Sequence, residues 1–398
     1  MGAVSGIGLG VTEFGRGLRA GRSAAKPITV FDTRGFDHAI GCEITDFVPE
    51  DWISNTPPER LGRASQFSVA AARMAVGDAG LTDRDLRSRP TLIAIGTTDG
   101  ESRDLDQLAE MQVRAGPGSM DAVVAGRVPA GKLSASVALD LGLRRVEVVT
   151  LPTACAAGNY AIGYGCDAIR FGDLSLALCG GADALCLKTF AGFYRLGTIA
   201  PERCQPFDKN RKGILTAEGA GVLVLESLES ALRRDARIYA EVLGYGLNCD
   251  AYHQVAPNEE SVARCMSLAL EDAGVRPAEV DLISAHGTGT KANDITEAAA
   301  IRRVFGTATV PRTVSIKSMI GHSMGAASAL ASIACTLAIT EGFIPPTINH
   351  VETDPECGLD CVPNHAVDAD LAVVQNNGLA FGGNNAVVVF GRYEGDPR

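Results

Sequence analysis

The sequence predicts an α/β protein built from two similar halves. Three observations carry that expectation. Short apolar runs rich in Val, Ile and Leu alternate along the chain with Ala-rich stretches of helical period, the pattern of sheets covered by helices. One plan recurs: VEVVTL runs into the small-residue turn PTACAAG and an apolar stretch, and TVSI runs into KSMIGHSMGAA and another. The phrases GDAGLTDRDL and EDAGVRPAEV also correspond, with Gly80 and Gly274 offset by 194 (274 − 80). The division is expected near residue 240, giving one half over 1–240 and a second over 241–398.

In chain order, a helix is expected over 64–79, where apolar residues at helical spacing end at Gly80. Strands follow at 91–97 and 146–151. A buried helix over 156–171 starts just after the TACAAG turn, and strands at 174–180 and 221–226 close the first half. The second half repeats the order with a helix at 261–273, a strand at 282–285, a helix at 296–304 and a strand at 314–316. A helix at 326–341 and strands at 371–376 and 386–390 complete it. The run GAASALASIACTLAIT is too short, and too rich in Ala and Ser, for a membrane span, so it is expected as a core helix.

Composition narrows the function. The 398 residues include 45 Gly but only 5% aromatics, so the core must be made of small and aliphatic side chains with backbones in close approach. A formal net charge of −11 argues against nucleic acid as a partner, and any anionic partner needs a local basic patch. The cysteine count is odd, at eleven, and most lie in apolar runs, which argues for reduced, buried thiols in a cytoplasmic protein. The N-terminus has no basic stretch before an apolar core, so no signal peptide is expected. Cys357 and Cys361 are four apart, but no second Cys/His pair completes a tetrahedral set, and no metal is expected.

Four constellations can carry chemistry. Cys155, in Thr153-Ala-Cys-Ala-Ala-Gly158, lies between a strand end and a helix start, where unpaired N–H groups favour a thiolate and are expected to lower its pKa. His286 follows the strand DLIS and opens His-Gly-Thr-Gly-Thr290, whose Thr288 and Thr290 hydroxyls suit an amide-rich ligand. His322 ends Lys317-Ser-Met-Ile-Gly-His at the start of the second buried helix, a position that disfavours imidazolium. Lys317 is expected to pair with a carboxylate such as Glu297 or Asp294. The fourth is Asn377-Gly-Leu-Ala-Phe-Gly-Gly-Asn-Asn385, between two strands, whose Gly pair presents N–H groups to a ligand. For each, a structural reading stands beside the catalytic one: a buried core cysteine, a satisfied histidine in a capped turn, a plain hairpin.

Taken together and in order, these motifs resemble the β-ketoacyl-acyl carrier protein synthases, on the thiolase fold. The nucleophile turn TACAAG comes first. Asp208-Lys-Asn-Arg211-Lys-Gly213 follows and runs on to Glu218-Gly219-Ala220, and then come HGTGT, KSMIGH and AFGGNN. The resemblance spans essentially the whole chain and is closest to the elongating Cys-His-His branch, which includes the ketosynthases of type II polyketide systems. It implies a duplicated, five-layer αβαβα architecture and a decarboxylative condensation of an acyl thioester with a malonyl thioester. Cys155 resembles the acyl-accepting nucleophile, and His286 and His322 the pair that promotes decarboxylation. Lys317 resembles the lysine that orders them, with Glu297 in support. The N–H groups of Cys155 and Phe381 resemble the oxyanion hole. Phe381 resembles a gate on the malonyl side, Thr288 and Thr290 the contacts of the pantetheine arm, and Phe193 an aromatic beside the acyl pocket. No metal or organic cofactor is implied, since the phosphopantetheine arm arrives on the carrier protein. The implied partners are an acyl carrier protein, docking near Arg60, Arg63, Lys209 and Lys212, and either a second copy or a chain-length-factor-like subunit. Arg211 has a buried structural ion pair as its alternative.

The chain departs from the family pattern in several places. Ala217 stands where Gly is usual, Ser65-Gln66-Phe67 where Asp-Arg-Phe is usual, and Asn384-Asn385 where Thr-Asn is usual. Ala380 replaces a Gly in the gate loop and is expected to stiffen it. These differences leave every catalytic atom in place and point to a specialised pathway. Two alternatives remain: acyl transfer without elongation, motivated by the gate loop, and a non-catalytic partner subunit, against which Cys155 speaks.

Overall fold

A computed structural model describes residues 1–395 except 173 and 309. Two mixed sheets form its frame. The first runs, edge to edge, Gly8–Leu9, Gly2–Ser5, Gly219–Glu226, Leu176–Asp183, Thr91–Gly96 and Val146–Leu151. The second runs Glu241–Cys249, Asn384–Gly391, Val373–Leu379, Leu282–Ser284 and Arg312–Val314. Once the short Gly8–Leu9 strand is set aside, the two sheets match strand for strand. In each, the first two pairings are antiparallel and the last two parallel. Such agreement in order and direction is the topology of a duplicated unit.

Helices Ala157–Arg170 and Ala327–Glu341 lie between the sheets, and each packs on strands of both. Helices Arg63–Asp78 and Lys132–Asp140 cover the outer face of the first sheet, and Glu259–Ala273 and Lys291–Phe305 that of the second. Five layers result. Close approach in the middle layer explains the glycine content. A Cβ on Gly158 would lie 2.5 Å from the Ala329 backbone nitrogen, so only glycine lets the two central helices touch. The segment Met324–Glu341 has the length and hydropathy of a membrane span, but 89% of that window is buried inside the fold.

The expected elements are found, with informative differences at their ends, while strands Gly2–Ser5 and Glu241–Cys249 and helices Val11–Arg19, Ser102–Ala115, Lys132–Asp140 and Leu187–Arg195 are not among those expected. The strand expected over 314–316 is Arg312–Val314, because Ser315 turns the chain and its hydroxyl donates to the Gly287 carbonyl at 2.7 Å. The one expected over 174–180 runs on to Asp183, and that over 371–376 on to Leu379. Both extensions reach the site described next. All eleven cysteines are free thiols, and ten are buried.

Candidate active site

Cys155, His286 and His322 come from three separate loops at the ends of parallel strands, the edge where such sheets hold their sites. Cys155 lies in the turn Ala154–Ala156 after Val146–Leu151, His286 follows Leu282–Ser284, and His322 follows Arg312–Val314. One ligating atom of each lies within 4.8 Å of the others. The imidazoles meet edge to face, with centroids 5.5 Å apart. Among the described residues this is the only trio of Cys, His, Asp or Glu close enough to hold a metal ion, so a metal there would occupy the reacting groups themselves.

Burial sets the protonation states. It holds both imidazoles neutral, well below their ordinary value, and the Lys317 ammonium adds to the effect. The expected neutrality of His322 therefore arises from burial and a nearby cation more than from a helix terminus. Met324 N–H donates to His322 Nδ1 at 3.2 Å, which leaves the proton of the neutral ring on Nε2. For Cys155 the structure corrects the sequence reading. Burial pushes the thiol up to about 12, while Lys317 and the Phe381 N–H against Sγ pull in the opposite direction and lose. Deprotonation of this thiol needs a base at hand, and the two neutral imidazoles are in reach.

Lys317 is 3% exposed, and its ammonium donates to the His286 carbonyl at 2.6 Å. Glu297 is its strongest favourable charge, yet the two do not form the direct pair expected from sequence. Glu297 instead braces the histidine loop. One oxygen accepts from His286 N–H at 2.8 Å and Asn377 Nδ2 at 3.0 Å, and the other from Gly287 N–H at 2.8 Å and Asn293 Nδ2 at 3.4 Å. Asn377 and Asn293 are supports that sequence reasoning missed. Asn377 sits inside a motif singled out for its Gly382-Gly383 pair, and a strand side chain five residues before that pair carries no signal of its role.

A cavity of about 90 Å³ opens over the trio and is lined by Phe193, Thr288, Thr290, Leu379, Ala380 and Phe381, among others. The Thr288 and Thr290 hydroxyls lie 2.9 Å apart. The Phe193 and Phe381 rings meet tilted, with centroids 5.2 Å apart, so the two aromatics chosen separately from sequence form one contact. The gate loop is shaped by Gly382 at φ 84° and Gly383 at φ 82°. Ala380 has φ −134°, extended backbone open to any residue, so it does not strain the loop.

The expected docking cations separate into distinct groups. Arg60 is exposed at the end of the turn Pro58–Arg60, and Lys212 is also exposed. Lys209 is exposed but paired with Glu352 at 2.7 Å. Arg63 turns inward: it donates to the Ile44 carbonyl at 2.6 Å and Glu218 at 3.2 Å and lies over the Phe47 and Phe67 rings. It is a structural clamp rather than a surface charge. Arg211 is fully buried between Asp294 and Asp354, the ion-pair alternative left open for it.

A buried thiol beside two neutral imidazoles, roofed by a backbone N–H and reached past paired threonines, defines an acyl-transfer centre of the Cys-His-His type. Residues 1–231 match the model of the beta-ketoacyl synthase N-terminal domain, and residues 239–351 that of the C-terminal domain. The chain belongs to the β-ketoacyl synthase family. It is 35% identical over 404 residues to 3-oxoacyl-[acyl-carrier-protein] synthase 2 of Synechocystis sp., covering 99% of this chain and 97% of that one. Nodulation protein E of a Rhizobium species is 39% identical over 401 residues, covering 98% and 97%. Among solved structures, the ishigamide ketosynthase/chain length factor superposes with a TM-score of 0.97 at 61% identity, covering 98% of this chain and 97% of that one. A type II polyketide ketosynthase in complex with its acyl-carrier protein gives 0.91 at 31%, covering 99% and 98%.

Proposed function

We propose that the chain elongates acyl thioesters by decarboxylative Claisen condensation on a carrier protein, in fatty-acid or polyketide synthesis. The observation that carries this reading is the trio itself, with Cys155, His286 and His322 within 4.8 Å in one cavity. Cys155 Sγ loses its proton to an imidazole and attacks the acyl thioester carbonyl. The Phe381 and Cys155 N–H groups receive the oxyanion, and the carrier thiol leaves with a proton. A malonyl thioester then enters. Its carbon–carboxylate bond breaks, CO₂ departs, and the electron pair moves onto the thioester as an enolate. His322 Nε2–H and His286 stabilise the enolate oxygen, since neutral imidazoles can donate there without protonating the carbanion. The carbanion attacks acyl-Cys155, and the thiolate leaves to give a 3-oxoacyl thioester. Lys317 and Glu297 act by holding the His286 loop.

In this reading no metal or organic cofactor takes part, and the arm is brought by an acidic acyl carrier protein. Arg60 and Lys212 are the exposed cations available to it, and Thr288 and Thr290 the arm contacts. A dimer is proposed through the Val146–Leu151 edge strand, whose Val148 is 42% exposed with an open pairing edge. Its partner is either a second copy or a chain-length-factor-like subunit, and the relative at 61% identity favours the latter. Eleven free thiols fit a cytoplasmic location.

Intact-protein mass spectrometry after incubation with a panel of acyl carriers tests the reading. Acylation at Cys155, followed on addition of malonyl carrier by a product two carbons longer with release of CO₂, is expected. Acylation without decarboxylation under any pairing would establish acyl transfer without elongation instead.

A further inference from the structure

The duplication places a second copy of the nucleophile turn in the C-terminal half. Thr-Ala-Cys-Ala-Ala157 corresponds to Ser-Met-Gly-Ala-Ala327, and both segments form a short 3-10 turn leading into a central helix. Their backbones agree in an unusual detail: Ala154 has φ 52° and Met324 φ 50°, left-handed values that non-glycine residues rarely adopt. Gly325 thus stands where Cys155 stands in the first half. A Cβ there would lie 2.5 Å from Thr97 Cα, so no side chain fits, and the second turn carries no nucleophile.

What the second turn does carry is a carboxylate. Asp183 ends the Leu176–Asp183 strand and is wholly buried. Its Oδ2 accepts from Gly325 N–H at 2.6 Å and Thr98 N–H at 2.8 Å. Its Oδ1 accepts from the Thr97 hydroxyl at 2.6 Å and Asp99 N–H at 3.1 Å. All four donors belong to two segments, the turn after Thr91–Gly96 and the second nucleophile-like turn. In that second turn, the neighbouring Met324 N–H is the group that holds His322 Nδ1. A strained φ persists only where surrounding contacts over-determine it, and Asp183 supplies the contact on Gly325.

We infer that Asp183 is a positioning residue for decarboxylation: it pins the Met324–Ala326 turn, which fixes the His322 ring with Nε2–H aimed into the cavity. The inference rests on the decarboxylative reading above. Asp183 makes no hydrogen bond to Cys155 among the described residues, and its charge, one of those that raise the Cys155 thiol, opposes rather than assists the nucleophile, so the help it gives falls on the histidine half of the site. Its charge is also uncommon for so buried a place, and burial pushes its carboxyl up to about 7.

The test separates the two half-reactions. Acylation of Cys155 is followed by intact-protein mass spectrometry, and release of CO₂ from malonyl carrier in a Cys155→Ala background. Asp183→Ala frees the Gly325 N–H. It is expected to slow CO₂ release about a hundredfold, the scale of a misplaced catalytic group, while acylation, which loses only a charge that raises the Cys155 thiol, is not slowed. Asp183→Asn keeps an acceptor on Gly325 and Thr98; the Thr97 hydroxyl can reverse to receive the amide, only the longer Asp99 N–H contact at 3.1 Å is left facing a donor, and part of the lost rate is expected to return. Equal loss in both half-reactions, or no loss in CO₂ release, would overturn the assignment. If Asp183→Ala does not fold, ring ¹⁵N shifts of His322 in the native protein and in Asp183→Asn decide: Nδ1 must appear as an unprotonated acceptor in both, and an Nδ1–H tautomer removes the link. Absence of CO₂ release before Asp183 is altered would instead count against the decarboxylative reading.

Discussion

Glu297→Gln is the substitution whose consequence the structure specifies most fully. The native carboxylate accepts four hydrogen bonds, two on each oxygen, and all come from buried donors. A glutamine amide must turn its NH₂ towards one of these pairs. Asn377 or Asn293 can rotate to offer its carbonyl in return, but the backbone N–H of His286 or Gly287 cannot move away. One buried backbone donor is therefore left facing another donor. A hydrogen bond to a charged acceptor contributes about 1.5–3 kcal/mol, so the loss expected is about 2–3 kcal/mol in denaturant unfolding. Lys317 also loses its strongest favourable charge, so Glu297→Gln and Lys317→Met should be non-additive by at least about 1 kcal/mol. The loop that shifts carries His286, so CO₂ release should fall along with stability. Glu352→Gln, which removes the exposed partner of Lys209, is the control and should change stability by less than about 1 kcal/mol. The reasoning is refuted if Glu297→Gln unfolds within about 0.5 kcal/mol of the native chain, or if the double variant is simply additive.

Other consequences follow from the same geometry. Cys155→Ala should abolish acyl loading and cut elongation by more than about a thousandfold, yet leave CO₂ release from malonyl carrier measurable. NMR signals of His286 and His322 should hold at neutral-imidazole positions as pH falls through 6.5, because the folded values lie well below it. The unfolded chain takes up those protons first, so the contribution of these rings to stability is full above pH 6.5 and declines below it. Lys317→Met should move both histidines upward, since its charge depresses both. Gly383→Ala, at φ 82° with a Cβ 2.8 Å from that of Asp250, should displace the Phe381 N–H and slow acyl loading, whereas Ala380→Gly should not. Arg63→Ala should cost about 2 kcal/mol or more of stability, whereas Arg60→Ala should leave stability unchanged and weaken carrier binding, read by calorimetry.

Much of this molecule was legible before any coordinate. Periodicity gives the helices and strands because a covered sheet needs apolar runs and a covering helix needs an apolar stripe, and both patterns are local. The repeated phrases announce the duplication that the matched sheets display. The residues of the candidate site are legible too. Cys155, His286, His322 and Phe381 each sit in a small-residue turn after a strand, where chemistry needs close backbone approach, and glycine and alanine mark such turns in the sequence itself. What no local pattern could supply is anything that depends on distance through space. Arg63 and Arg60 are three residues apart and alike in sequence, and only packing against Phe47, Phe67 and Glu218 turns one inward. The Cys155 thiol is raised rather than lowered because desolvation by burial outweighs the Lys317 charge and the Phe381 N–H, both brought in from elsewhere in the chain. Glu297, Asn377 and Asp183 act on residues between 10 and 142 positions away. The identity of the candidate reacting groups is thus written in the chain, while their charge, their orientation and the groups that hold them are properties of the folded interior alone.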